Sequence, residues 1–124
     1  MRITINKALL ISLLLFAKTQ HPKEIILLLR GTKRKDEISI DEFILSPFTT
    51  SGRGFASFPS HMLPIDFSIV GTAHSHPSGS LKPSTTDLSH FYGRIMMIVA
   101  YPFTLSQAAV YNLKGEKVAH TIES

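Results

Sequence analysis

Apolar and polar positions alternate along the chain in short blocks that change period several times. Residues 2–5 read as a short strand, and from Lys7 to Thr19 apolar residues cover much of the circumference of a helix for which Asn6 is a suitable N-cap. Such a helix has to pack against a sheet. The run EIILLLRG, residues 24–31, is continuously apolar, of strand length and closed by glycine, which predicts a central strand buried on both faces with Glu24 at its entrance. ISIDEFILSP then pairs back on it as a hairpin ended by Pro47. Residues 48–64 are rich in Gly, Ser and Pro, so they predict the most mobile part of the chain, with a short strand at Phe55 to Phe58. FSIVGTAHSH, residues 67–76, is the next strand, and a loop over 77–83 leads into a helix at STTDLSHFY stopped by Gly93. IMMIVAYP predicts another buried strand, and QAAVYNLK with EKVAHTIE a hairpin over Lys114 and Gly115.

This order predicts an α/β fold: one compact domain over residues 1–124, with a mixed, mostly antiparallel β-sheet flanked by helices. Composition changes little in that picture. At 124 residues, 44% hydrophobic and 18% charged, the chain can bury a core and is too apolar for disorder. The net charge of +4 has one local focus, Lys33-Arg34-Lys35, which Asp36 and Glu37 follow at once, so it reads as a solvated turn and not as a nucleic-acid patch. Arg2 and Lys7 ahead of the apolar run Ala8–Ala17 imitate a signal peptide, but the run is too short to span a membrane and no A-x-A site follows Ala17. The expectation is a buried helix in a cytoplasmic protein. With no cysteine, disulfides, thiolate zinc sites and a cysteine nucleophile are excluded, and any metal must be held by His, Asp or Glu.

The stretch HSHPSGSLKPSTTD, residues 74–87, concentrates such groups. Side chains two apart on a strand share a face, so His74 and His76 can aim at one spot while Ser75 faces away. A loop of this length can fold the following helix back and bring Asp87 to the same spot. Two imidazoles and a carboxylate suit zinc and leave its fourth position for water, as in catalytic sites. The same four residues, Ser84 to Asp87, also form a capping box, in which Asp87 serves the helix and not a metal. The other histidines, His21, His61, His90 and His120, lack such companions, and Met96 and Met97 belong to a core strand.

His-x-His, seven residues, Ser-x-x-Asp, with Glu24 upstream, resembles the signature of the JAMM (MPN-plus) metalloproteases, and the order of elements is similar to that family's cytidine-deaminase-like core. The resemblance implies that His74, His76 and Asp87 ligate one zinc ion, that Glu24 binds the zinc-held water as proton carrier, and that the Ser84 hydroxyl lies near the developing oxyanion. It further implies an isopeptidase cutting the amide bond between the C-terminal glycine of a ubiquitin-like or sulfur-carrier modifier and a lysine or fused segment, with no nucleic-acid or membrane partner. The alternatives are a zinc peptidase or amidase on small substrates and a non-catalytic MPN scaffold; the five residues together argue against the scaffold. A zinc deaminase needs cysteine ligands, and RadC-like relatives carry additional DNA-binding sequence for which this chain has no room.

Overall fold

In the computed structural model, residues 1–45, 50–53, 55–57, 68–89 and 92–124 are described. Strand β1 (Arg2–Asn6) runs directly into helix α1 (Lys7–Gln20). Asn6 caps the junction, its side-chain oxygen accepting the N–H groups of Ala8 and Leu9 at 2.8 and 3.3 Å. Leu10, Leu13, Leu14 and Ala17 recur at helical spacing and sink into the main core with Ile3, Ile5, Leu27 and Leu29. Ile11 and Leu15 remain on the outer side. No helix among the described residues is long and apolar enough to cross a membrane.

The remaining elements are β2 (Lys23–Glu24), β3 (Ile26–Arg34), β4 (Glu37–Leu45), β5 (Thr50–Arg53), β6 (Phe55–Ser57), β7 (Ile69–His76), α2 (Thr85–Ser89), β8 (Ile95–Ala100), β9 (Ala108–Asn112), β10 (Lys117–Val118) and β11 (His120–Glu123). Eight strands form one mixed sheet in the order β10-β9-β8-β7-β3-β4-β1-β11, and β2-β5-β6 form a small second one. Lys35 and Asp36 make the exposed turn of the β3–β4 hairpin.

Burial on both faces holds for β3. Leu27 and Leu29 face the α1 core, while Ile26 and Leu28 join Ile69, Ile44 and Tyr92 on the reverse side. In β8, Ile95, Met97 and Val99 face that same core, and Met96 and Ile98 pack with Ala109, Tyr111 and Leu81 behind the sheet. β7 lies between them, antiparallel to β3 and parallel to β8, so its C-terminal end meets the start of β3 and the end of β8. Gly71 is required for the β7–β8 approach, since a Cβ there would stand 2.0 Å from the Ile95 carbonyl oxygen. Gly93 turns the chain after α2 with φ +84°, a conformation that favours glycine.

Three expectations need correction. The apolar run 24–31 is not one strand: Glu24 pairs with Gly52 in the small sheet, whereas Ile26 onward belongs to the large one. The switch occurs at Ile25, whose N–H donates to Ser75 Oγ at 2.8 Å instead of to a ladder carbonyl. The C-terminal hairpin is only two residues deep on its return arm. Lys117 and Val118 pair with β9, and one residue later β11 lies parallel to β1 at the opposite edge. β1 has β4 on one side and would otherwise leave its other edge open, so β11 satisfies its backbone groups and brings the sheet's two edges together. Finally, β5 precedes β6 where only Phe55 to Phe58 was expected to be extended; β6 meets that expectation as far as Ser57. Phe58, Pro47, most of 48–64 and the predicted helix end at His90 and Phe91 lie outside the described residues.

Candidate metal centre

The site assembles where β7 ends. Its two-residue period aims both histidines at one place, and His74 and His76 are 1% and 7% exposed. The loop after β7 returns over the strand end, held by the Tyr111 hydroxyl, which donates to the Leu81 carbonyl. α2 then delivers Asp87, itself 2% exposed. Its carboxylate stands between the imidazoles, with Oδ1 3.1 Å from His74 Nδ1 and Oδ2 2.9 Å from His76 Nε2.

The capping box forms as well. Ser84 Oγ accepts the Asp87 N–H at 3.0 Å and Asp87 Oδ2 accepts the Ser84 N–H at 2.8 Å. One carboxylate thus serves the helix start and the histidine pair together, and the two readings of Asp87 are compatible.

The far nitrogen of each ring has its own partner. His76 Nδ1 lies 2.9 Å from the Ser80 carbonyl oxygen, which can only accept, so Nδ1 carries a hydrogen; the protonated ring donates from Nε2 to Asp87 Oδ2 at 2.9 Å, and the neutral ring has its Nε2 lone pair at that same spot. His74 Nε2 lies 3.2 Å from the Thr72 hydroxyl, and donation to it leaves the Nδ1 lone pair facing Asp87 Oδ1. That close approach lacks hydrogen-bond alignment: His74 Nδ1 is a buried polar atom without a hydrogen-bond partner among the described residues. A buried lone pair 3.1 Å from a carboxylate oxygen is costly unless a cation lies between them. The donor set therefore fits a divalent metal with N and O preference.

Glu24 enters from β2, half-buried, at the rim of an open cleft of about 550 Å³ that His76, Ser84 and Asp87 also line. One ligand atom from each of Glu24, His76 and Asp87 lies within 4.8 Å of the others. This second constellation shares two members with the first and replaces His74 by Glu24. The orphaned His74 nitrogen favours the histidine pair with Asp87 as ligands, and leaves Glu24 on the open side of the centre.

Electrostatics agree with separate tasks for the two carboxylates. Burial raises the Glu24 pKa; the nearby His76 opposes the rise and the charge of Asp87 adds to it. Burial also works to raise Asp87, but the two imidazoles and the Ser84 N–H outweigh it and hold this carboxyl far below the usual range. For His76, burial favours the neutral ring, yet the bonds to Asp87 and the Ser80 carbonyl prevail and its pKa rises. The Asp87 carboxyl is thus pushed down and that of Glu24 up, so the two neighbouring carboxyls differ in how readily they take a proton.

All five residues singled out in the sequence meet here. Ser84 is exposed on the cleft, and its oxygen accepts from Asp87, which leaves its hydrogen for the cleft. Sequence reasoning missed Thr72, Ser80 and Ser75. Thr72 was findable as the residue two before His74 on the same strand face; Ser80 contributes a main-chain carbonyl, which no residue type announces. Of the other histidines, His21 stacks on Tyr101 at 4.9 Å between ring centroids, His120 is half-buried in β11, and His61 and His90 lie outside the described residues.

Comparison with known proteins decides the family. Residues 6–112 match the prokaryotic homologs of the JAB domain, a span that contains Glu24, His74, His76, Ser84 and Asp87. The chain belongs to this family. As a JAB-domain protein it is similar to a curated relative from Haloferax volcanii described as a probable metalloprotease, with 34% identity over 77% of this chain and 64% of the relative's length. Its fold superposes with TM-score 0.74 and 35% identity, over all of both chains, on a structure described as a JAMM metalloprotease-like zinc site in the proteasome and signalosome. A JAB1/MPN domain protein from Archaeoglobus fulgidus gives TM-score 0.73 and 38% identity over the same full coverage. The JAB-domain fold also appears, at 16% identity and TM-score 0.70, in a protein from Desulfitobacterium hafniense.

Proposed function

We propose that this JAB-domain protein is a zinc-dependent hydrolase of amide bonds, acting as an isopeptidase at the C-terminal glycine of a ubiquitin-like or sulfur-carrier modifier. The observation that carries this reading is the Asp87 carboxylate between two imidazoles whose far nitrogens are engaged, so that His74 Nδ1 and His76 Nε2 converge on one point. Its relatives include a probable metalloprotease and a protein with a metalloprotease-like zinc site, and both descriptions agree with it.

In this reading His74, His76 and Asp87 hold the metal. When bound, zinc acidifies a water to near neutral pKa and polarises the scissile carbonyl. Glu24, raised by burial, accepts the proton of the attacking water and returns it to the leaving amine. Ser84 directs its free hydroxyl hydrogen at the oxygen on which negative charge develops. The cleft rim at Pro77, Ser78 and Pro83 accepts the chain on either side of the cut bond.

The test is cleavage of a purified modifier–lysine conjugate before and after zinc chelation, followed by zinc re-addition. Loss with the chelator and recovery with the metal support the reading. Full cleavage by metal-free protein refutes it, and no cleavage of any conjugate by zinc-loaded protein favours a scaffold.

A pH dependence follows from His76. Its folded pKa lies above the ordinary ~6.5 of imidazole, so protons occupy it in metal-free protein up to a higher pH than they would a free ring. Zinc needs the neutral ring, so affinity should begin to fall below about pH 7 and continue downward, as protons displace the metal. Competition with a chromophoric chelator between about pH 5.5 and 8 measures this; affinity independent of pH across that window contradicts His76 as a ligand.

Substrate placement is assigned to the small sheet. β2, carrying Glu24, pairs with β5 and β5 with β6, so among the described residues β6 forms the edge of the small sheet, two strands from the proton carrier. An extended modifier tail can add to that edge through main-chain hydrogen bonds. Successive N–H groups on a strand point to opposite sides, so of Ala56→Pro and Ser57→Pro one removes an outward donor. That variant should raise KM for a conjugate about 3- to 10-fold, the worth of one hydrogen bond, with zinc content unchanged. Unaltered kinetics in both would move the groove elsewhere.

A further inference from the structure

We infer that Ser75, the residue between the two histidines, is a positioning residue for Glu24: its hydroxyl sets where the strand carrying the proton carrier leaves the main sheet. This rests on the reading of Glu24 as proton carrier.

The antiparallel β3–β7 ladder runs from Arg30 opposite Ile69 to Ile26 opposite His74. One residue further, Ser75 N–H still donates to the Ile25 carbonyl at 3.0 Å. The reciprocal bond is altered: Ile25 N–H goes to Ser75 Oγ at 2.8 Å and not to a main-chain carbonyl. An acceptor on the side chain sits displaced from the strand axis, so at this point the incoming chain stands off from β7. Immediately before it, Lys23 and Glu24 pair with Arg53 and Gly52 of the small sheet. Ser75 is 1% exposed, and the strand period that aims His74 and His76 at the metal site turns it to the opposite side. The same three residues of β7 thus hold the metal on one face and, on the other, tie the residue next to Glu24.

Without the hydroxyl the Ile25 N–H is a buried donor with no acceptor, and it can be satisfied only if the chain moves toward the β7 main chain or opens to solvent. Either motion displaces Glu24, whereas His74, His76 and Asp87 sit on β7 and α2 and stay in place. A displacement of about 1 Å in a reacting group is enough to cost on the order of 100-fold.

The experiment compares Ser75→Ala, Ser75→Cys and Ser75→Thr in the full chain. Alanine and the shape-preserving but poorly accepting cysteine should lower kcat about 10- to 100-fold with KM and zinc content unchanged, and threonine, which keeps the hydroxyl, should restore it. If threonine's extra methyl prevents folding, the cysteine variant decides. In the Glu24→Gln background Ser75→Ala should cost nothing further, because the group it positions is already gone. A second readout is independent of activity: amide exchange at Ile25 in chelated protein should accelerate in the alanine variant. Wild-type kcat in both Ser75→Ala and Ser75→Cys, or a full additional loss on top of Glu24→Gln, overturns the assignment. If Glu24→Gln itself proves active, the proton-carrier reading fails, and accelerated Ile25 exchange shows whether Ser75 still anchors the strand.

Discussion

Glu24→Gln should leave zinc bound and remove about 100- to 10,000-fold of the turnover, the range associated with a positioned general acid–base group. Glutamine keeps the size of the side chain and both ends of the β2–β5 pairing, so the fold around it should persist. What it loses is the capacity to take a proton. In the native site that capacity is enhanced by burial, which raises the Glu24 pKa toward neutrality, while His76 works against the rise. Single-turnover cleavage of a conjugate, with zinc measured on the same sample, separates chemistry from metal loss. Turnover within a few-fold of wild type would assign the proton transfer to another group.

Asp87→Asn should have the second large effect, through a different route. The carboxylate holds one oxygen toward each imidazole and accepts the Ser84 N–H. A neutral amide no longer offsets the charge of a divalent cation, and its NH2 end has no lone pair to offer a metal where a carboxylate oxygen stood. Zinc affinity should fall by more than the 10- to 100-fold typical of losing an outer-shell partner, and activity with it. Metal-free protein offers a companion test. The folded pKa of Asp87 is depressed, so its contribution to stability is present above the unfolded value near 4 and lost as pH falls through the folded value. Chelated wild type should therefore lose stability below about pH 5 in urea titrations, and chelated Asp87→Asn should lack that component. Identical pH profiles would mean that the carboxylate is not held by the histidines.

Much of this arrangement is legible in the sequence because it rests on local periods. The helical spacing of Leu10, Leu13, Leu14 and Ala17 and the two-residue spacing of His74 and His76 are properties of single segments, and a segment carries its own period. Asp87 was within reach of the same reasoning, since the capping box that places it at the start of α2 is a four-residue pattern. The departures come from decisions taken far along the chain. Residues 24–31 are uniformly apolar apart from Glu24 and Arg30, and nothing in them marks Ile25 as the point of divergence; Ser75, fifty residues later, does. The C-terminal segment carries a sound hairpin pattern, but a hairpin pattern does not state that β1 has an open edge competing for the same residues. β5, Thr-Ser-Gly-Arg, has no strand-like alternation, and its pairing with β2 supplies the order that its composition lacks.

Two overlapping constellations meet at His76 and Asp87, one completed by His74 and the other by Glu24. Zinc stoichiometry, by elemental analysis of purified His74→Ala and Glu24→Gln beside wild type, distinguishes them directly. One zinc per chain is expected in wild type and in Glu24→Gln, and loss of the metal from His74→Ala. Full zinc in His74→Ala together with a metal-free Glu24→Gln would make Glu24 a ligand and contradict the proposed division between metal binding and proton transfer.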